Sequence, residues 1–169
     1  MQGNPSEDTA AIETAVVALR RAHRQRTLAR LSERRGERTG RHAELPDAVF
    51  ELLDAIDSAA ERDAPLTVTE AAAALGVDQP RSSRLAAQAL KAGLLRREAD
   101  QRDGRRSLLA LTTEGHAALA RIRDFRHRVI AEVTADWTAE DREALARLLT
   151  RFVQGYGALS GPGDEGSED

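Results

Sequence analysis

The chain has 169 residues, enough for one domain with a helical annex, and is 41% hydrophobic and 31% charged with a formal net charge of −3. Aromatics make up only 3%, so Leu, Ala, Val and Ile must build the core, and the absence of Cys excludes disulfides, thiolate redox chemistry and Cys-ligated metals. No apolar run nears the roughly 20 residues that a membrane span needs, and the opening MQGNPSEDTA lacks a basic-then-apolar signal pattern, so a cytoplasmic chain with no membrane partner is expected.

Residues 1–7 are rich in polar and turn-forming types and are expected to be disordered. From Asp8 to about Arg35 there is neither Pro nor Gly, and Ile12, Val16, Leu19, Leu28 and Leu31 form a thin apolar stripe on a long helix. Residues 20–42 hold nine Arg against Glu33 and Glu37, a local charge of +7 that the chain average conceals. After a break at Gly36–Gly40, Leu45, Val49, Leu52, Leu53 and Ile56 predict a second helix, ended by Ala64-Pro65. The first stripe is too thin to form a core alone and needs a partner surface, so residues 8–65 are expected to be a dimerisation helix followed by a scaffold helix.

The next stretch, 66–112, is the most informative. Thr67-Val-Thr-Glu70 is a capping box that starts a short helix at Val68, and Gly76 stops it. Asp78 caps another helix, with Pro80 in the first turn where its missing N–H has no partner to lose. That helix runs through Leu85 and Leu90 to Gly93. Two short helices about a tight Gly-containing turn have helix-turn-helix geometry. Leu94–Glu98 and Leu108–Leu111 then flank the polar loop Asp100–Ser107, the pattern of a hairpin. A hairpin directly after the second helix forms a wing. The segment carries eight basic residues against five acidic ones.

Thr112 is expected to cap a long helix with Leu119, Ile122, Phe125, Val129, Ile130 and Val133 in its stripe. Thr138-Ala-Glu-Asp141 begins a last helix bearing Leu145, Leu148, Leu149, Phe152 and Val153. Residues 113–156 are therefore assigned to C-terminal dimerisation helices, and 157–169, ending in GPGDEGSED, to an acidic disordered tail. The fold class is mainly α with a small β-hairpin wing: a winged helix-turn-helix lobe plus a terminal-helix dimerisation region.

In Leu66-Thr-Val-Thr-Glu, Leu75-Gly-Val-Asp-Gln-Pro-Arg-Ser-Ser-Arg-Leu85, Lys91-Ala-Gly-Leu-Leu-Arg-Arg97, Asp103-Gly-Arg-Arg106 and Leu111-Thr-Thr-Glu-Gly115, the sequence resembles the multiple antibiotic resistance regulator (MarR) family. The resemblance spans roughly residues 10–155. It implies a homodimer with interlocked first and last helices, a recognition helix in the major groove and a wing reaching the adjacent minor groove. It further implies a transcriptional regulator, usually a repressor, acting on a palindromic double-stranded DNA operator and released by a small-molecule effector. No motif identifies the effector or its pocket, and the lack of Cys excludes the oxidation-sensing branch.

Within this motif, Gln79, Pro80, Arg81, Ser82, Ser83 and Arg84 occupy the two turns that approach base edges, with Gln88 a marginal contact one turn on. Arg can bond a guanine edge bidentately and Gln an adenine edge. In the wing, Arg102, Arg105 and Arg106 surround Gly104, and a narrow minor groove attracts an inserted Arg. The resemblance makes Arg105 the groove residue and Asp103 its brace. Thr67 and Thr69 are candidate phosphate contacts, although capping alone explains them.

Enzymatic readings lack a motif. His23, His42, His116 and His127 are scattered, there is no phosphate-cradling Gly loop and no nucleophile elbow, and no cofactor is expected. The five aromatics all lie outside 66–112, so stacking platforms for single strands are missing there. Two alternatives stay open: a winged helix used for protein–protein contact, and a ligand- or metal-sensing dimer with weak DNA binding.

Overall fold

The computed structural model describes residues 4–24, 42, 44–101 and 103–160. Among these it contains α1 (Pro5–Arg24), α2 (Asp47–Glu61), α3 (Val68–Leu75), α4 (Gln79–Lys91), strands β1 (Leu95–Ala99) and β2 (Ser107–Leu111), α5 (Thr113–Val133) and α6 (Ala139–Ser160). The expected helix order and hairpin are all present. Two compact units are distinguished, residues up to Arg126 and residues from His127 onward. The division falls inside α5.

Both ends carry more helix than expected. Asn4 accepts the Ser6 amide through its side chain at 3.2 Å, Pro5 follows it, and Glu7 and Asp8 occupy the first turn. Cap, proline and acids together start α1 at Pro5, inside the stretch 1–7. At the other end α6 runs through 157–160. The remainder of the expected first helix, from residue 25, and most of the Arg-rich block lie outside the described residues.

The core of the first unit is aliphatic. It is built from Val49, Phe50, Leu52, Leu53 and Ile56 of α2, Leu85, Ala86 and Ala89 of α4, Leu94, Leu95, Leu109 and Leu111 of the hairpin, and Ala118, Leu119 and Ile122 of α5. Alanines on α3 and α4 keep those helices slim, so their backbones come close across the turn. Gly76 ends α3 at φ 62°, a left-handed conformation that costs glycine little.

The hairpin is antiparallel, with Leu95 opposite Leu111 and Ala99 opposite Ser107. Leu109 N–H donates to Leu66 O at 2.8 Å and Thr67 bridges Leu108, so the segment before α3 lines the free edge of β2. Thr112 closes the neck of the hairpin. Its amide donates to Leu94 O at 3.0 Å, its hydroxyl donates to Gly93 O at 2.6 Å, and the same hydroxyl accepts the Gly115 amide at 3.0 Å as the cap of α5.

A cluster of charges joins α5 to α2. Arg123 donates to Asp54 Oδ1 at 2.6 Å and to Asp57 Oδ2 at 2.7 Å, and Arg126 donates to Asp54 Oδ2 at 2.7 Å. Burial pushes the Asp54 carboxyl up, but the bonds and charges of Arg123 and Arg126 outweigh it and hold it below the usual carboxylate value. His116 Nδ1 lies 3.4 Å from Asp57 Oδ1.

In the second unit Thr138 caps α6 by accepting the Asp141 amide at 3.1 Å, and Arg142 donates to Trp137 O at 2.6 Å. Leu145, Leu148, Leu149, Phe152, Val153 and Tyr156 nonetheless remain exposed, as do Ile130 and Val133 on α5. On α1, Ile12, Val17 and Leu19 are exposed as well.

Candidate nucleic-acid interface

The site grows from the cap of α4. Asp78 accepts the Arg81 amide at 2.7 Å, and Pro80 stands in the first turn. The helix therefore starts where the sequence places it, with Gln79, Pro80, Arg81, Ser83, Arg84 and Gln88 exposed. Neither Arg81 nor Arg84 has a hydrogen bond or ion pair with its guanidinium among the described residues. Two exposed cations thus stand one turn apart on one helix face, a geometry suited to a polyanion.

Ser82 is a correction. It is 0% exposed, and its hydroxyl donates to Val68 O at 2.9 Å. It shares the buried side of α4 with Leu85, Ala86 and Ala89 and ties that side to the first turn of α3. Its position was legible in the spacing 82, 85, 86, 89, a helical core stripe that the polar residue type obscured.

Thr67 and Thr69 are also engaged. The Thr67 hydroxyl accepts the Glu70 amide at 3.3 Å while the Thr67 amide donates to Glu70 Oε2 at 2.8 Å, completing the capping box. Thr69 Oγ1 accepts a hydrogen bond from Gln79 Nε2 at 3.1 Å. That bond fixes the orientation of the first side chain of α4 and was not anticipated from the sequence.

In the wing, Asp103 Oδ1 accepts the backbone amide of Arg105 at 3.1 Å, and Asp103 O accepts that of Arg106 at 2.9 Å. The brace therefore acts on the backbone of the turn and not on the guanidinium. Arg105 is exposed, and its guanidinium has no partner among the described residues. Arg106 is different. Its Nη2 donates to Glu70 Oε1 at 2.6 Å and its Nη1 lies 3.3 Å from Asp100 Oδ2. Two carboxylates neutralise it, so it is not the free cation the sequence suggested. Arg102 lies outside the described residues. Arg96 pairs with Glu98 along β1, and Arg97 Nη1 donates to Ser107 Oγ at 3.4 Å.

The Glu70 carboxyl is held below its usual range, first by the Thr67 amide, then by the Thr67 hydroxyl and the Arg106 charge. Among the described residues no group of three or more His, Asp or Glu could hold a metal ion. No described helix is long and apolar enough to cross a membrane.

Two short helices about a glycine turn, the second exposing arginines unpaired among the described residues, with a hairpin appended, define a winged helix-turn-helix fold. Residues 43–106 match the model of the MarR family, so this segment, which holds both short helices and most of the hairpin, is similar to that family. The chain resembles a MarR family protein from Bacillus stearothermophilus at 17% identity, with 92% of this chain and 99% of that one covered and a TM-score of 0.70. It resembles RV1404 from Mycobacterium tuberculosis at 23% identity, covering 93% and 97%, with a TM-score of 0.64. Wild-type MarR from E. coli in its apo form matches at 22% identity, covering 82% and 95%, with a TM-score of 0.61. No curated protein matches the sequence.

Proposed function

We propose that the chain is a homodimeric repressor that binds a palindromic duplex operator in the cytoplasm and is released by a small-molecule effector. The observation that carries the DNA reading is the set of exposed cations at Arg81, Arg84 and Arg105, unpaired among the described residues, on the start of α4 and on the wing tip. Arg81 and Arg84, with Gln79 and Ser83, are positioned to read major-groove edges, and Arg105 enters the minor groove. Pro80 and Gln88 lie on the same exposed side, and Asp103 holds the turn from which Arg105 projects. The dimer reading is supported by the exposed apolar residues of α1 and α6, which gain from the cover that a second copy supplies on a two-fold axis.

The test is a titration of the full chain with palindromic and half-site duplexes at two salt concentrations, beside light scattering. Half-sites centred about 10 base pairs apart should bind best, with affinity falling steeply as salt rises. Scattering should give about twice the 18.4 kDa chain mass. Equal affinity for palindrome and half-site, or a monomer at micromolar concentration, refutes the reading.

A further inference from the structure

The two carboxylate oxygens of Glu70 do different work. Oε2 accepts the Thr67 amide at 2.8 Å and so belongs to the cap of α3, whereas Oε1 accepts Arg106 Nη2 at 2.6 Å and so reaches the wing, 36 residues further along the chain. Asp100 holds the other side of Arg106 at 3.3 Å, and the Asp100 amide donates to Arg106 O at 3.1 Å. Arg106 is thereby fixed at both guanidinium and backbone. The residue beside it is Arg105, and one aspartate, Asp103, receives the backbone amides of both.

The same first turn of α3 also receives the recognition helix, through Ser82 Oγ on Val68 O and Gln79 Nε2 on Thr69 Oγ1. One helical turn therefore holds both DNA-facing elements. We propose that Glu70 is a positioning residue that sets the wing tip against the helix-turn-helix, so that Arg105 and the start of α4 meet one duplex in register. This rests on the reading of Arg105 as a minor-groove residue.

The electrostatic expectation runs the other way, which makes the proposal separable from a charge effect. Removing a carboxylate from a surface that faces phosphates should by itself strengthen DNA binding and steepen its salt dependence. If Glu70 positions the wing, its loss weakens specific binding in spite of the added positive charge.

Glu70→Gln is the informative variant, because Gln serves in a capping box and the start of α3 is retained. Glu70→Ala removes cap and tether together and measures what capping alone contributes. The probes are duplexes selected from a random library by the wild-type chain, carrying either A·T-rich or G·C-rich flanks. Wild type should prefer the A·T-rich flank, whose narrow groove favours an inserted Arg. Glu70→Gln should keep the wild-type unfolding midpoint, lose about three- to tenfold in affinity for the A·T-flanked duplex, and show a flank preference close to one. Combined with Arg105→Ala it should add little to the loss caused by Arg105→Ala alone, since both changes act through one contact.

Wild type without any flank preference refutes the minor-groove reading, and the proposal falls with it. A wild-type preference that Glu70→Gln retains refutes the positioning role alone, as does a loss fully additive with Arg105→Ala or a gain in affinity.

Discussion

Replacing Gly115 by Ala should strain the wing's neck and destabilise the fold although it adds a single methyl group. Gly115 lies in the first turn of α5, against the residue that leads into β1. A Cβ there would stand 3.0 Å from the Leu94 carbonyl carbon and 3.4 Å from Leu111 Cβ, and would run into the Leu94 carbonyl oxygen well inside contact distance. Separation of carbon and oxygen by about 3.5 Å would require a backbone shift on the order of 1 Å. Leu94 has little freedom to make it. It is 0% exposed, its amide donates to Ala89 O at 2.9 Å, and its carbonyl accepts the Thr112 amide at 3.0 Å. Helix propensity favours Ala over Gly by about 0.8–1.0 kcal/mol. Forced overpacking costs about 1–3 kcal/mol, and a weakened Thr112–Leu94 bond costs about 1 kcal/mol more. The net loss is about 1–3 kcal/mol. Urea unfolding at one fixed protein concentration, with m unchanged, measures it, since the midpoint of an associating chain depends on concentration. A midpoint at or above that of wild type would show that propensity outweighs the clash and that the close approach is not a constraint.

Arg81→Ala and Arg84→Ala should each cost about 1–3 kcal/mol on a selected duplex and relax preference at one base position; equal weakening on selected and random duplexes would reduce them to phosphate contacts. Thr69→Val, which keeps shape but removes the acceptor of Gln79 Nε2, should broaden base preference opposite Gln79 while leaving affinity for random duplex unchanged, and an unaltered preference would show that the bond does not orient Gln79. Asp54→Asn should destabilise the fold by about 1–2 kcal/mol at neutral pH, since it weakens bonds to two arginines. Because the Asp54 pKa is lowered on folding from 3.8, its contribution is present above that value and lost as pH falls through the folded value, so variant and wild type should converge in acid unfolding below about pH 4.

What was legible in the sequence was mostly local. Thr67 with Glu70, Gly76, Asp78 with Pro80, Thr112 and Thr138 end or begin elements where they were expected to, because each cap is settled within about four residues. Asn4-Pro5 was an equally local signal, hidden by a composition that suggested disorder. Positions on α4 were legible by spacing, Ser82 included, although its residue type suggested the surface. Arg106 was not legible at all. Its charge reads as a free cation until folding brings Glu70 beside it, and nothing near either residue announces the other. The Arg123 pairs with Asp54 and Asp57 were hidden for the same reason, being contacts between α5 and α2 that arise only once the first unit packs.

The neck of the hairpin bears on how this part of the chain assembles. Thr112 is tied to Leu94 and to Gly93, the latter 19 positions back, and also to Gly115 three residues on. The wing is thus a short loop knotted at its base by contacts close in sequence, and loop-closure entropy rises only slowly with such lengths. The neck can therefore form before long-range packing, and it ties the start of α5 to the end of the recognition helix in the same step. Its slowest amides to exchange should be those of Leu94 and Thr112, with exchange quickening toward Gly104 at the tip.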